Sequence, residues 1–320
     1  MAIKEPDPVE NLKKLFAALV LASGLSLAPA VGLFAAGALD SLTTLTVGGG
    51  FDVPVVSTPV PYSGPVSTTH VLNAYFVNVG QGDAEYIELP NGHNVLIDGG
   101  PNPTAPLAEF LTQHGITKID HVVLTHPHSD HYTGLVYVFD NFQVANFYDT
   151  RIDNTGSSTI KKLRARINEL GVNTIYPSEG DELNWDPEVA VKVLHSCSEP
   201  GESNSGHVLN DCSIVLKVTY QDSSILYMGD AEIDVEAELV ATYGETLRAD
   251  VLKVGHHGSS TASSLPFLEM VKSKLAYIEV GYANTFHFPS PVTMANMEAV
   301  GATPFLTYMT GTQLYTIQGK

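Results

Sequence analysis

The chain is poor in cysteine: only Cys197 and Cys212 occur in 320 residues. A disulfide-dense scaffold and a CxxC metal knuckle are both excluded. Cations are scarce as well. The 16 Lys+Arg face 35 Asp+Glu, a formal net charge of −19. Such a surface repels phosphate backbones and anionic lipid headgroups, which disfavours extended nucleic-acid binding. Charged residues make up only 16% of the chain, while hydrophobic ones make up 44%. That balance excludes a disordered acidic tail and leaves apolar material for one large domain or two small ones. No internal repeat is visible.

What is present begins with an unusual N-terminus. Residues 1–14 are polar and end in Lys13 and Lys14, and residues 15–39 then carry no charge. A basic flank, an apolar run and small residues (Ala28, Ala30, Ala36, Ala38) read as a cleaved export signal. A retained membrane anchor is the alternative for residues 1–39, and a buried core helix the third reading. Residues 40–69 are rich in Gly, Pro, Ser and Thr and read as a linker. The folded body is then expected over 70–320. Removing residues 1–38 takes away three lysines and three acids, so the −19 belongs to the body. Cys197 and Cys212 stand at the ends of two strand-like runs, 191–195 and 213–219. A hairpin would bring them together, and an exported compartment would let them join. Two quiet buried thiols are the equal alternative.

Across the body, β-type runs alternate with helical windows. Strands are expected at 71–79, 84–89, 94–98, 121–125, 191–195, 213–219, 224–228, 250–254, 276–280, 305–308 and 312–317. Helices are expected at 104–114, 157–170, 232–243 and 262–272, with a short one after Pro291. In the second of these, Ile160, Leu163, Ile167 and Leu170 share one face. This order fits sheets layered with helices outside.

The chemistry concentrates at strand ends. After the apolar Val122-Val123-Leu124 comes Thr125-His126-Pro127-His128-Ser129-Asp130-His131, four metal-competent side chains in six residues. Alternate positions of an extended segment point the same way, so His126 and His128 can share one metal. A helix start at Ser129 or Asp130 would swing Asp130 and His131 toward a second. Three more apolar strands end at Asp98-Gly99-Gly100, Gly229-Asp230 and Gly255-His256-His257-Gly258. Taken singly, Gly-Asp is an ordinary turn. Four strand ends converging on one edge is how sheet enzymes build sites.

These segments resemble the metallo-β-lactamase fold superfamily through the HxHxDH motif. They are most similar to the hydrolase domain of ComEC-type DNA-uptake proteins. The further carriers are Phe76-Val77-Asn78-Val79-Gly80-Gln81-Gly82-Asp83, Asn210-Asp211-Cys212-Ser213 and Lys253-Val254-Gly255-His256-His257-Gly258-Ser259. The membrane channel of ComEC proteins is absent from this sequence. The resemblance implies an α/β fold, an αββα sandwich of two mixed sheets with helices outside. It implies two divalent metal ions, zinc or alternatively manganese. His126 and His128 would bind one ion, Asp130, His131 and His257 the other, and Asp230 would bridge.

The catalytic candidates are Asp98, Asp130, His256 and His287. Asp98 would orient the attacking water or a ligating histidine. His256 would contact substrate or leaving group, although the order of His256 and His257 stays open. His287 would touch the substrate, but Phe288 interrupts the His-Pro step of similar proteins. A further histidine common in the superfamily is missing before the strand 213–219, where His207 and Asp211 are the candidate replacements. Gln81 and Asp83 read equally as site edge and hairpin turn.

The implied function is an exported hydrolase that uses a hydroxide activated by two metals on a phosphodiester or related phosphorylated substrate. A lactam or lactone hydrolase and a non-catalytic metal-stabilised surface module are the alternatives. The acidic surface favours a small or locally reached anionic substrate. The basic run Lys161-Lys162-Leu163-Arg164-Ala165-Arg166 reads as a solvated helix face, with a phosphate patch as the sharper alternative. His70, His93, His114, His121 and His195 have no partners at metal spacing.

Overall fold

The computed structural model describes residues 45–47, 51–53, 70–102 and 105–319. The expected export segment, 1–39, lies outside them. Within the expected linker, Leu45–Val47 (β1) and Phe51–Val53 (β2) pair antiparallel, with Thr46 opposite Asp52. A Gly48-Gly49-Gly50 run between two β-prone triplets is a hairpin signal that the linker reading passed over. Among the described residues, no helix is long and apolar enough to cross a membrane.

In the body the strands follow in order: Val71–Phe76 (β3), Glu85–Glu88 (β4), Asn94–Ile97 (β5), Lys118–Val123 (β6), Gln143–Tyr148 (β7), Ile152–Asn154 (β8), Asn173–Ile175 (β9) and Val189–His195 (β10). Then come Gly201–Ser203 (β11), Val215–Tyr220 (β12), Ser223–Tyr227 (β13), Val251–Lys253 (β14), Leu275–Ile278 (β15), Thr303–Leu306 (β16) and Gln313–Gln318 (β17). The helices are Leu107–Gln113 (α1), Ser129–Asn141 (α2), Ser158–Glu169 (α3), Gly206–Asn210 (α4), Ile233–Tyr243 (α5), Leu265–Val271 (α6), Pro291–Val300 (α7) and Thr307–Thr310 (α8). The expected strand at 305–308 is shifted: β16 ends at Leu306, and Thr307 opens α8.

One sheet runs β17-β3-β4-β5-β6-β7-β9, the other β10-β12-β13-β14-β15-β16. Each begins as an antiparallel meander, β3-β4-β5 or β10-β12-β13. Each then switches to parallel strands, β5-β6-β7-β9 or β13-β14-β15-β16. Parallel neighbours need crossovers, which α1, α2 and α3 supply in the first half and α5, α6 and α7 in the second. Local signals set the helix ends. Ser157 caps α3 by accepting from Ile160 N–H, and Ser290 caps α7 by accepting from Thr293 N–H. Gly301 closes α7 at φ +71°, a left-handed position that suits glycine.

The core has three layers. Leu72, Phe76, Val191, Leu216, Val218 and Tyr227 fill the space between the sheets. Phe110, Leu135, Val138, Ile160 and Leu163 pack helices onto the first sheet. Val235, Leu239, Phe267, Leu268 and Met297 do so on the second. The fold is the expected αββα sandwich. Beside it, Cys197 and Cys212 form a disulfide. They flank the antiparallel pair β10–β12, as the hairpin reading anticipated.

Candidate metal centre

The site lies where parallel strands end, the position at which open sheets present side chains to ligands. β5 is followed by Asp98, β6 by His126, β13 by Asp230 and β14 by His257. The backbone there departs from extended geometry. Asp98, His256 and His257 hold φ of +55°, +45° and +52°. Such strain in non-glycine residues persists only where surrounding structure enforces it. Gly82 is required by close approach: a Cβ there would lie 2.3 Å from the carbonyl oxygen of Asp130.

Two donor groups meet at one carboxylate. Asp130, His131, Asp230 and His257 form the first, and His126, His128 and Asp230 the second. Asp230 Oδ2 lies 3.3 Å from His131 Nε2, 3.4 Å from His257 Nε2 and 3.9 Å from His126 Nε2. Asp130 Oδ2 lies 3.3 Å from His257 Nε2. His126 Nε2 and His128 Nδ1 are 2.8 Å apart. His131 Nε2, His257 Nε2 and Asp230 Oδ1 are buried without hydrogen-bond partners. Buried polar atoms left unpaired and converging cost free energy unless a ligand completes them. The donor set therefore fits two divalent cations: four imidazoles and Asp130, with the Asp230 carboxylate shared between the groups.

Outer contacts hold these ligands. Asp98 is fully buried. Its Oδ2 accepts from His131 Nδ1 at 2.7 Å and from the Thr125 hydroxyl at 2.6 Å, and its Oδ1 accepts from Thr125 N–H at 2.8 Å. Asp98 is sequestered behind His131 and holds that imidazole through Nδ1, the arrangement that the histidine-orienting one of its two expected roles requires. Asp230 N–H donates to Ser213 Oγ at 3.0 Å. His257 Nδ1 lies 2.8 Å from the Glu279 carbonyl and 3.1 Å from Asp83 Oδ1.

Electrostatics follow from that crowding. Burial opposes charge on His131, yet Asp230, Asp98 and Asp130 outweigh it and raise its pKa well above the usual imidazole range. His257 behaves likewise through Asp230 and Asp83. Burial and the neighbouring His131 push His126 well below that range.

The neighbouring pair His256 and His257, whose order the sequence left open, differs in its surroundings. His257 is buried in the ligand group. His256 stands at the rim, with Nδ1 3.0 Å from Glu232 Oε1 and Nε2 3.9 Å from Asp230 Oδ2. His207 and Asp211 do not join the ligands around Asp230; they form a separate group with Glu232. His287, the expected substrate contact, sits exposed in a turn at φ +60°. The same turn presents Phe288 to the rim, its ring 5.4 Å from that of His256.

Several functional neighbours escaped sequence reasoning. Lys253 is fully buried and paired with Asp83. Burial works against its charge, but Asp83, Glu85 and Glu279 raise its pKa above the usual lysine range. Burial, with Asp83 beside it, pushes the Glu85 carboxyl up to about 8, and burial with Glu85 and Asp83 beside it raises Glu279 well above the usual carboxylate range. Lone charges inside apolar strands were the available signal, since a buried charge needs a partner. Gln81 belongs to the same edge, its side chain accepting from Gly281 N–H at 3.1 Å. Arg164 is drawn inward to Asp149 at 2.7 Å and to Asp153, so it is engaged in ion pairs and offers no phosphate patch. His114 Nδ1 and His195 Nε2 lie 2.8 and 2.7 Å from backbone carbonyls, away from the metal-type groups.

Residues 77–281 match the family described as the metallo-beta-lactamase superfamily. The chain belongs to the metallo-beta-lactamase superfamily. Within it, the chain is similar to ComE operon protein 3 of Bacillus subtilis (strain 168), 26% identical over 262 residues, 76% of this chain and 33% of that protein. It is also similar to competence protein ComA of Neisseria gonorrhoeae, 29% identical over 236 residues, 73% of this chain and 30% of that one. The chain thus spans about a third of the length of these relatives and is similar to a ComEC-type hydrolase domain. Among solved structures, Igni18, a metallo hydrolase of Ignicoccus hospitalis, shares the fold at TM-score 0.53 and 14% identity. That likeness covers 78% of this chain and 100% of Igni18. Members of the superfamily typically hold two divalent metals, for which the groups around Asp230 are the candidate sites.

Proposed function

We propose that this metallo-beta-lactamase-fold protein is an exported, zinc-dependent hydrolase of phosphodiesters or related phosphorylated substrates, with manganese the alternative metal. The observation that carries the reading is the pair of donor groups joined at Asp230, with His256 at their rim. When bound, two such ions supply Lewis acidity and lower the pKa of water toward neutrality. The chain's own residues do the rest. His126 and His128 hold one ion, and Asp130, His131 and His257 the other. Asp98 keeps the His131 Nδ1 proton and so presents Nε2 as a donor. Glu232 accepts from His256 Nδ1, which leaves Nε2 facing the cluster to give a proton to the departing oxygen. The catalytic groups are then His256 and the ligand Asp130.

Two features favour an anionic ester over a lactam. His207, the nearest candidate for the missing histidine, is turned to Glu232. Two dications would also make the centre a positive island in an acidic body. Export is supported by the Cys197–Cys212 disulfide, which persists in oxidising compartments, and by the signal-like residues 1–39. Bis(p-nitrophenyl) phosphate with added zinc or manganese tests the activity. The expected result is metal-dependent turnover abolished in His128→Ala. Equal turnover in that variant, or turnover of a chromogenic β-lactam alone, would overturn the reading.

A further inference from the structure

We propose that Phe286 and Phe288 form a stacking platform for a planar aromatic ring carried by the phosphate ester, a subsite that rests on the phosphodiester reading above. The rings make a continuous wall leading outward from the metal centre. His256 Nε2 faces Asp230, Phe288 packs edge-on against His256, and Phe286 stacks on Phe288 at 5.5 Å and 17°. The outermost ring is 61% exposed. One of its faces is covered by Phe288, so the other is open to a ligand.

The loop that carries these rings is held in place. Asn284 Nδ2 donates to the Phe288 carbonyl at 2.7 Å, and Phe288 N–H donates back to Asn284 Oδ1 at 3.0 Å. Ser290 N–H donates to the Gly258 carbonyl at 2.8 Å, which ties the loop to the turn bearing His256 and His257. A Cβ on Gly258 would lie 2.7 Å from Pro289 Cβ, so only glycine lets the two segments meet. A large apolar ring fixed in water beside a reactive centre has a ligand-binding explanation that scattered surface residues lack. Stacking also suits this chain's charge. It needs no cations and works for any planar ring, whereas a strongly acidic body has few cations to spare for tracking a phosphate chain. The preferred ligand is therefore compact: one ring, one linking group and one phosphate.

The test is calorimetric binding of adenosine 5′-monophosphate and ribose 5-phosphate to the full-length, zinc-loaded protein and its Phe286→Ala and Phe286→Trp variants. The nucleotide is expected to bind about tenfold tighter than the sugar phosphate. Phe286→Ala should bring the two to near parity without changing ribose 5-phosphate affinity or the melting temperature, because the ring is exposed. Phe286→Trp should retain the preference. Equal affinities in the parent protein, or a preference that survives Phe286→Ala, would overturn the platform while leaving the phosphodiester reading intact. Binding of neither compound by a protein that turns over bis(p-nitrophenyl) phosphate would overturn the platform alone, whereas no turnover of that diester either would refute the phosphodiester reading and the platform with it. Self-association lost in Phe286→Ala with the ligand ratio unchanged would assign the rings to contacts between copies and overturn the proposal.

Discussion

Asp98→Asn should weaken one metal site and spare the other. In the native site one buried carboxylate accepts three hydrogen bonds, two of them on Oδ2 from His131 Nδ1 and the Thr125 hydroxyl. An amide of the same size can still accept from Thr125 N–H through its oxygen. Its NH2 group then faces the His131 Nδ1 proton, donor against donor. The lost interaction is a hydrogen bond to a charged group, worth about 1.5–3 kcal/mol. At about 1.4 kcal/mol per decade, that is roughly a 10- to 100-fold loss in affinity. The same range is typical when an outer partner of a metal-binding histidine is removed. The effect should fall on the ion held by Asp130, His131 and His257. His126 and His128 do not touch Asp98, so the other ion should bind nearly as before. Chelator competition or titration calorimetry with zinc can separate the two steps. Two unchanged affinities, or equal losses at both sites, would refute the reasoning that Asp98 acts through His131.

Further outcomes follow from the same geometry. His257→Ala should reduce bound metal from two ions to one by elemental analysis. His256→Ala should keep both ions and lower kcat with little change in KM, because the two imidazoles face different partners. Reducing Cys197–Cys212, which are 15 residues apart, should cost about 3 kcal/mol of stability, read as a lower urea midpoint in dithiothreitol. Burial works against the Glu232 charge, but hydrogen bonds from His256, Asn210 and His207 hold the carboxyl near 2, below its ordinary 4.5. A depressed carboxyl stabilises the fold above its unfolded pKa, and that contribution is lost as pH falls through the folded one. Glu232→Gln should therefore flatten the metal-free stability profile between about pH 4.5 and 2, measured by urea unfolding, and an unchanged slope would exclude the assignment.

Much of the site was legible because its ligands sit at recognisable local punctuation. His126, His128, Asp130 and His131 share one short segment, and Asp98, Asp230 and His257 each follow an apolar strand beside glycine. Strand hydrophobicity and turn residues are local properties, so sheets layered with helices outside and donor-type residues at strand ends could be anticipated from them. The αββα form and the grouping of donors around two metals followed from the resemblance to the superfamily. The order His256 before His257 could not be resolved that way. Adjacent residues in a left-handed turn point in different directions, and only the packed neighbours, Glu232 for one and Asp130 for the other, distinguish their surroundings. The surroundings of His287 were hidden for the same reason, since the turn at that position exposes the imidazole and directs Phe288 toward His256.

The sequence by itself determined the donor-type residues at strand ends, sheets layered with helices outside and an acidic body, because periodicity, glycine placement and charge are written locally. The two-sheet αββα form and the pairing of donors with metals came from the resemblance to the superfamily. Tertiary structure alone decided the partnerships. Lys253 meets Asp83 across 170 positions, and Glu279 approaches Ala84 across 195. The two halves, which share no visible sequence repeat, both switch from antiparallel to parallel and bring their strand ends to one carboxylate, Asp230. Pairings over such separations depend on how the sheets stack, and no pattern within a single segment encodes that stacking.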